Sequence, residues 1–286
     1  MERLNLKSYA KINLCLYVLK EREDSYHEIF SVMQAIDLHD QLTLHRTEKG
    51  IVIQCDHPHV PKDENNLAHQ AADLLFKETN LKRGVKIDIE KKIPVSAGLG
   101  GGSSNAAVTL KGINQLFDLE LSFQKLHSIA SRIGSDVPFF LYSGQAIAKG
   151  RGEKIVPINL YRDYWLVLIR PDFMISTETV YRDVKIDLTE GRSFINLRFC
   201  NKKDTFFDTL RQFDNDLEKV VTRRYAIINQ IKKTLKNSGA IKSSMTGSGP
   251  TVYGLFEKKL QAEEVARKLS GGDWQIFLTR PIAFSS

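Results

Sequence analysis

Apolar residues occupy every second position from Ala10 to Val18, which is the pattern of a half-buried β-strand. Lys11 and Asn13 lie on the opposite face of this strand. Because the two residues are two positions apart along the strand, their side chains point in the same direction and can reach into one site. Taken alone, the pair fits an ordinary polar outer face better than a functional site.

Hydrophobic periodicity along the rest of the chain predicts further strands and helices, and in the second half these are predicted to alternate and pack on one sheet. Further strands are predicted at residues 29–36, 41–44, 51–55, 85–90, 145–149, 153–158, 165–169, 241–245, 251–256 and 275–279. Helices are predicted at residues 66–79, 106–117, 122–133, 177–183, 217–235 and 262–269. The pattern restarts around residues 157–164, which predicts one domain over residues 1–158 and a second over residues 159–286. The stretch from about Lys185 to Asn215 has no clear pattern.

Residues 94–107 place glycines 98, 100, 101 and 102 and three serines between a predicted strand and a predicted helix. Ser103 or Ser104 stands where an N-cap residue is expected. Glycines permit a positive φ and remove the Cβ atoms that would keep the backbone away from an anion. Ser103 follows Gly102, so the spacing matches neither the P-loop nor the dinucleotide-binding pattern. The segment is either a third kind of phosphate-binding loop or a flexible surface linker, and its position tight between a strand and a helix favours the loop.

A second glycine cluster spans residues 246–250, with Gly247, Ser248 and Gly249 at its centre. It is short enough to be only a β-turn. Paired with the first cluster, it predicts a wall of the same phosphate site.

Composition narrows the classes of protein. The 286 residues are 42% hydrophobic and 26% charged, as in a folded globular protein, and no stretch approaches the roughly 18 apolar residues of a membrane span. Three separated cysteines and the lack of a signal-like N-terminus predict a reducing cytoplasm. The net charge of +7 is compatible with RNA binding or with attraction of small polyanions, but acidic residues are mixed among the basic ones.

Three further side chains could carry chemistry, although each is weak support by itself. Tyr26 and His27 are adjacent in a polar connection and could stack on and hydrogen-bond a flat ring. Asp136 follows a helix that ends at Gly134 and precedes an apolar run, where a carboxylate is either held rigidly for catalysis or bonded to nearby amides.

Together these segments resemble the GHMP kinase superfamily. Residues 10–13, 94–107 and 245–251 are similar to its three motifs and occur in the same order. Within the superfamily, residues 26–27, 134–139 and 150–153 are most similar to kinases whose acceptor is a cytidine diphosphate-linked methylerythritol. The resemblance implies an α+β fold with a ribosomal-protein-like N-terminal domain containing a left-handed βαβ unit, a ferredoxin-like C-terminal domain, and an active site in the interdomain cleft.

The resemblance also implies a role for each matching residue. Lys11 and Asp136 would be catalytic, and Mg²⁺ would accompany ATP, with Ser104 as its protein contact. ATP would be bound by Pro94, Val95, Ser96, Ala97, Gly98, Leu99, Gly100, Gly101, Gly102, Ser103 and Ser104, with Asn66 and Lys91 near the adenine. The acceptor would contact Asn13, Tyr26, His27, Tyr181, Gly247, Ser248 and Gly249.

The implied reaction is transfer of a phosphoryl group from ATP to the 2-hydroxyl of the methylerythritol moiety, with no nucleic acid or membrane partner. Three other functions stay in view: a superfamily kinase for mevalonate, homoserine or a sugar, a basic RNA-binding protein, and a non-catalytic ATP sensor. Retention of both Lys11 and Asp136 argues against the sensor. The oligomeric state stays open.

Overall fold

A computed structural model describes residues 2–142, 144–184, 197 and 200–283. Two compact units divide the chain. Unit 1 combines Met1–Ala10, Leu38–Val95 and Gly100–Ser143, and unit 2 combines Lys11–Asp37, Ser96–Leu99 and Gly144–Ser286. The predicted domain boundary between residues 158 and 159 stays a prediction.

Strands and helices follow one another mostly in short runs of one kind along the described chain. The strands are β1 (Arg3–Glu21), β2 (His27–Thr47), β3 (Gly50–Cys55), β4 (Gly84–Glu90), β5 (Gln145–Gly150), β6 (Lys154–Pro157), β7 (Trp165–Pro171), β8 (Lys242–Met245), β9 (Val252–Phe256) and β10 (Trp274–Thr279). The helices are α1 (Leu67–Thr79), α2 (Gly101–Leu116), α3 (Phe123–Ile133), α4 (Thr177–Arg182), α5 (Lys203–Arg211), α6 (Asp216–Arg224), α7 (Ala226–Asn237) and α8 (Lys259–Leu269), with a 3₁₀ helix at Pro138–Leu141. Among the described residues, no helix is both long and apolar enough to cross a membrane.

The first strand is longer than predicted and is buried on both faces around its middle. Lys11 and Asn13 are each only 3% exposed, nearly as buried as Ile12 between them. The interpretation of this pair as a polar outer face is therefore wrong. A buried lysine requires hydrogen-bond or charge partners, so the side chain must belong to an internal polar site.

Two predicted strands form the single strand β2, which contributes to both units. In unit 1, residues 41–47 pair antiparallel with β4, and β3 pairs parallel with β4. In unit 2, residues 29–34 pair antiparallel with β5, which pairs with β6. The polar residues between the two apolar runs suggested an interruption, but extended pairing on different neighbours keeps the strand continuous.

Helices α1, α2 and α3 pack against one another in unit 1. Helical spacing predicts an apolar stripe on α1 formed by Ala68, Ala71, Ala72, Leu75 and Phe76. The first four are fully buried and Phe76 is half-buried. Ser122 caps α3 by accepting a hydrogen bond from the backbone N–H of Lys125 at 3.2 Å, and α3 ends at Gly134 as predicted.

Unit 2 contains a four-stranded antiparallel sheet in the order β10-β7-β9-β8. Helix α7 packs on β8 and β9, and α8 packs on β7, β9 and β10. The core between these layers contains Val167, Ile169, Ile231, Leu235 and Phe256.

In the second half, one helix lies where none was predicted, and one predicted helix is wrong. The stretch without a clear pattern contains α5, whose Phe206, Phe207 and Leu210 are buried, while its residues 185–196 and 198–199 lie outside the described residues. The predicted helix over residues 217–235 is two helices, because Tyr225 leaves the helical region with φ −127° and ψ 86°. The apolar stripe continues across this break, so periodicity alone could not reveal it.

Candidate active site

The glycine-rich segment leads directly into helix α2. Gly98 and Gly100 have φ values of 74° and 70°, and Ser96 has a φ of 53°. Gly100 is the N-cap residue and α2 begins at Gly101, so the prediction of Ser103 or Ser104 as the N-cap is wrong. The first N–H groups of a helix have no intrahelical acceptor and lie at its positive end. The start of α2 is therefore suited to an anion.

Buried side chains anchor the segment before the helix. Ala97 and Leu99 are each 1% exposed, and the carbonyl of Leu99 accepts a hydrogen bond from the backbone N–H of Lys11 at 2.9 Å. These anchors restrict the backbone, which rules out the interpretation as a flexible surface linker. Pro94 and Val95 are half-buried at the start of the segment.

Asp40 is fully buried in unit 1 and accepts four hydrogen bonds. Its Oδ1 accepts the backbone N–H groups of Lys92 and Ile93, each at 2.8 Å. Its Oδ2 accepts Nδ2 of Asn105 at 2.9 Å and forms an ion pair with the ammonium of Lys91. Pairing and hydrogen bonding are what make a buried carboxylate tolerable. Asp40 thereby fixes the residues just before the glycine-rich segment to helix α2.

The same hydrogen-bond chain continues to Ser104. Nδ2 of Asn105 also donates to Oγ of Ser8 at 2.8 Å, and Ser8 donates to Oγ of Ser104 at 2.8 Å. The ammonium of Lys91 lies against the first turn of α2, since a Cβ added at Gly101 would lie 3.1 Å from Nζ. Lys91 and Ser104, two residues expected to contact ATP, therefore share one polar network.

Lys11, Asn13 and Thr246 form a second polar cluster, in unit 2. Nζ of Lys11 donates to Oδ1 of Asn13 at 2.7 Å, and the backbone N–H of Asn13 donates to the hydroxyl of Thr246 at 2.9 Å. Nδ2 of Asn13 donates to Ser31 at 2.8 Å, and Ser31 donates to the carbonyl of Cys15. Burial raises the pKa of the Cys15 thiol to about 12, consistent with a site poorly hydrated on this side.

The two glycine clusters approach each other closely at Gly98 and Gly247. A Cβ added at Gly98 would lie 2.3 Å from the carbonyl oxygen of Thr246. A Cβ added at Gly247, where φ is 56°, would lie 3.1 Å from the carbonyl oxygen of Gly98 and 3.4 Å from Nζ of Lys11. Glycine is required at Gly98 by both the contact and the backbone conformation. The structure thus brings Lys11, Asn13, Gly98 and Gly247 together.

The three aromatic residues expected to hold the acceptor all belong to unit 2. The rings of His27 and Tyr181 are 5.5 Å apart, centroid to centroid. Tyr26 is 50% exposed, and the guanidinium of Arg151 lies over its ring at 5.1 Å. Ser248 in the second glycine cluster shares a 2.7 Å hydrogen bond with Thr177, at the start of the helix that carries Tyr181.

Asn66 and Asp136 have well-defined positions in unit 1. Asn66 is the N-cap of α1, where its Oδ1 accepts the N–H of Ala68 at 2.8 Å and its Nδ2 donates to the carbonyl of Pro61 at 2.7 Å. Asp136 is half-buried between α3 and the 3₁₀ helix. Their assigned roles stay predictions.

Sequence reasoning missed Asp40 and Asn215, which hold the two glycine clusters. Asp40 bonds to side chains 51 and 65 positions away, and Asn215 bonds to carbonyls 30 and 32 positions away. The Asn-Asp-Leu-Glu sequence from Asn215 to Glu218 is a recognisable helix N-cap pattern, which could have identified the cap but not its distant partners.

Both halves of the chain match family models for small-molecule kinases. Residues 66–144 match the GHMP kinases N terminal domain, and residues 203–272 match the GHMP kinases C terminal domain. These two matched regions lie on either side of the predicted boundary at residue 158.

Similar proteins cover nearly the whole chain. A 4-diphosphocytidyl-2-C-methyl-D-erythritol kinase of Thermodesulfovibrio yellowstonii is 43% identical and covers 95% of each chain. The protein of that name from Clostridium botulinum is 40% identical over 96% of this chain and 99% of its own. A crystal structure of 4-(cytidine 5'-diphospho)-2C-methyl-D-erythritol kinase superposes with a TM-score of 0.83 at 29% identity, covering 98% of this chain and 99% of the other.

The chain belongs to the GHMP kinases and, within them, to the 4-diphosphocytidyl-2-C-methyl-D-erythritol kinase family. It is accordingly an ATP-dependent phosphotransferase that acts on a small molecule. The predicted α+β fold of the GHMP kinases is confirmed.

Proposed function

We propose that this enzyme phosphorylates the 2-hydroxyl of 4-diphosphocytidyl-2-C-methyl-D-erythritol in the non-mevalonate isoprenoid precursor pathway, giving the 2-phosphate and ADP. The observation that carries the proposal is the pair of rings of His27 and Tyr181, whose centroids are 5.5 Å apart, with Tyr26 adjacent to His27 in the sequence. Such a group suits stacking on a cytosine ring. Kinases for mevalonate or homoserine have no base to stack, and the relatives' names support the same acceptor.

Asp136 is the proposed general base, and Lys11 the proposed electrostatic group. Asp136 takes the proton from the acceptor hydroxyl as its oxygen bonds to the γ-phosphorus, and the bond from that phosphorus to the β,γ-bridging oxygen breaks. Lys11 neutralises negative charge on the transferring group. Phosphoryl transfer depends on alignment and charge neutralisation more than on covalent catalysis.

Residues 94–104 are the proposed triphosphate site, with Asn66 and Lys91 near the adenine. Support comes from the unpaired N–H groups expected at the start of α2 and from the restrained backbone before it. The acceptor is proposed to contact Asn13 and residues 247–249.

Mg²⁺ is proposed to enter bound to ATP. Ser104 is its proposed protein contact, because a hydroxyl that accepts one hydrogen bond, here from Ser8 at 2.8 Å, retains a further lone pair. The described residues include no group of three or more His, Cys, Asp or Glu side chains placed to hold a metal. Mg²⁺ would supply positive charge that offsets the negative charge of the phosphate groups during transfer.

The remaining proposals concern the setting of the enzyme. The acceptor is a small molecule, and neither nucleic acid nor a membrane takes part. Three free cysteines, Cys15, Cys55 and Cys200, support a cytoplasmic location.

A coupled ADP-release assay with the purified enzyme and MgATP tests the proposal, with product regiochemistry read by phosphorus NMR. We expect turnover with the diphosphocytidyl acceptor, none above background with mevalonate or homoserine, and a phosphomonoester at the 2-position. Asp136→Asn should lower kcat by about 10²- to 10⁴-fold with ATP binding retained, as for loss of a general base. Asp172→Asn, at a surface side chain that is 86% exposed, is the matched control. Turnover with mevalonate or homoserine, but not with the diphosphocytidyl acceptor, would exclude the proposed acceptor.

A further inference from the structure

We propose that Asn215 is a positioning residue for phosphoryl transfer. It holds the turn of residues 246–249 so that Thr246 keeps Asn13 and Lys11 in place. This inference rests on the proposed function, which assigns roles in transfer and acceptor binding to Lys11 and Asn13.

The side-chain amide of Asn215 makes three hydrogen bonds, two as a donor and one as an acceptor. Nδ2 donates one hydrogen to the carbonyl of Met245 at 2.8 Å and the other to the carbonyl of Gly247 at 2.9 Å. Oδ1 accepts the N–H of Leu217 at 3.1 Å and thereby caps helix α6. Asn215 is 5% exposed, so water cannot readily replace these bonds.

The backbone on both sides of Asn215 is fixed to strand β1. The N–H of Leu16 donates to the carbonyl of Asp214 at 2.9 Å, and the N–H of Val18 donates to Oδ2 of Asp216 at 3.0 Å. Strand β1 also carries Lys11 and Asn13. These two bonds therefore fix the position of Asn215 relative to the strand that bears both side chains.

Glu218, one turn further along α6, holds the other side of the same turn. Its Oε2 accepts the N–H of Met245 at 2.8 Å and the hydroxyl of Ser244 at 3.2 Å, and its Oε1 pairs with Lys232. The first turn of α6 thus binds backbone groups of Met245 and Gly247, on both sides of Thr246.

Thr246 transmits this constraint to the site. Its hydroxyl accepts the N–H of Asn13 at 2.9 Å and lies 3.4 Å from Oδ1 of Asn13, the atom that accepts Nζ of Lys11 at 2.7 Å. Gly247 itself approaches Nζ of Lys11, as the 3.4 Å distance from an added Cβ shows. A shift of the turn would therefore displace Asn13 and the Lys11 ammonium together.

Substitution can separate the two functions of the Asn215 amide, which caps helix α6 and binds the carbonyls of Met245 and Gly247. Serine and aspartate are good N-cap residues because an oxygen accepts the N–H of the first turn. Neither can donate two hydrogens to Met245 and Gly247, since a carboxylate has acceptors only and a serine hydroxyl has one hydrogen on a shorter side chain. Asn215→Ser and Asn215→Asp therefore keep the cap and remove the hold on the turn.

The test compares Asn215→Ser, Asn215→Asp, Thr246→Val and the double variant Asn215→Ser/Thr246→Val in the coupled assay with MgATP and the diphosphocytidyl acceptor. Ser122→Ala, which removes the N-cap of α3, controls for the loss of a cap elsewhere. We measure kcat, KM for MgATP and KM for the acceptor at a temperature at which thermal melts show that each variant is folded. Lys11→Ala is measured alongside.

We expect Asn215→Ser to lower kcat by roughly 10- to 100-fold, the scale of a small misplacement of reacting groups. KM for MgATP should change less than twofold, and Ser122→Ala should keep wild-type kcat. The double variant should lose about as much kcat as the more impaired single variant, because both act through one turn. If Asn215→Asp fails to fold, the serine variant and the double variant still decide the matter.

A wild-type kcat in folded Asn215→Ser would overturn the inference. A fold-loss of kcat in the double variant equal to the product of the two single-variant losses would also overturn it. The proposed function fails separately. Absence of wild-type turnover, or unchanged turnover in Lys11→Ala, would contradict it, whereas a loss in Lys11→Ala with normal Asn215→Ser would overturn the positioning role alone.

Discussion

The two glycine clusters are held in place by different physical means. Residues 91–105 depend on a buried charge, since Asp40 binds Lys91, two backbone N–H groups and Asn105. The turn of residues 246–249 is bound directly by the neutral amide of Asn215 and the hydroxyl of Thr246, while the carboxylate of Glu218 binds Ser244 and Met245 just before it.

This difference predicts different consequences of substitution. Removing one member of a buried ion pair leaves an unpaired charge, which costs folding free energy. Removing a neutral donor costs less stability but releases the geometry that it fixed. We therefore expect the first cluster to be sensitive mainly in stability and the second mainly in turnover.

The largest expected effect is on folding. Asp40→Ala should lower the free energy of unfolding by about 3–5 kcal/mol, because it leaves the ammonium of Lys91, only 4% exposed, without its carboxylate. Asp73→Ala, which breaks a surface pair with Lys77 at 2.6 Å, should cost less than about 0.5 kcal/mol. Urea unfolding measures both. Equal losses would contradict the contrast between buried and surface pairs.

The next effect probes the place where the two clusters touch. Gly98→Ala introduces a Cβ 2.3 Å from the carbonyl of Thr246 at a φ of 74°. We expect kcat/KM for MgATP to fall more than about tenfold, in addition to the ~1–2 kcal/mol cost of a left-handed alanine. Gly50→Ala supplies the backbone cost alone, because its φ is 79° and nothing lies within 4 Å of the added Cβ. Steady-state kinetics of both variants measure the difference, and matched activity would show that the contact is unimportant.

The smallest effect concerns Lys111, a half-buried lysine of helix α2 whose Nζ donates to the carbonyl of Phe140 at 3.3 Å. Burial lowers the pKa of Lys111, on α2, below its ordinary value of 10.5. Below that lowered pKa the folded chain carries a poorly solvated charge. Between it and 10.5 the unfolded chain binds a proton that the folded chain has released, so wild-type stability rises with pH in this window.

Lys111→Met should therefore raise the free energy of unfolding at pH 7 by on the order of 1 kcal/mol, a typical gain for one stabilising change. The gain should shrink as the pH approaches and passes 10.5. Denaturant titrations at several pH values measure it. Lys77→Met, at a lysine side chain that is 71% exposed, is the control and should show no such pH dependence.

Most strands and helices could be predicted because their signals are local. Alternation identified β1 and β4, and helical spacing with a cap identified α1 and α3. The break at Tyr225 could not be predicted, because α6 and α7 continue one apolar stripe across it.

The candidate site also combines features that are local in the sequence with features that are not. Glycine spacing and the adjacent Tyr26 and His27 are visible in the sequence, so these segments could be chosen as candidates from the sequence alone. The burial of Lys11 and the partners of Asp40 and Asn215 depend on tertiary contacts between residues far apart along the chain. No local pattern encodes such contacts.

The most direct test of the account is a crystal structure of the enzyme with Mg²⁺ and a non-hydrolysable ATP analogue. The account predicts phosphate oxygens within about 3 Å of backbone nitrogens between Ala97 and Asn105, as ordinary hydrogen bonds require. A triphosphate bound elsewhere, with this segment facing solvent, would contradict it.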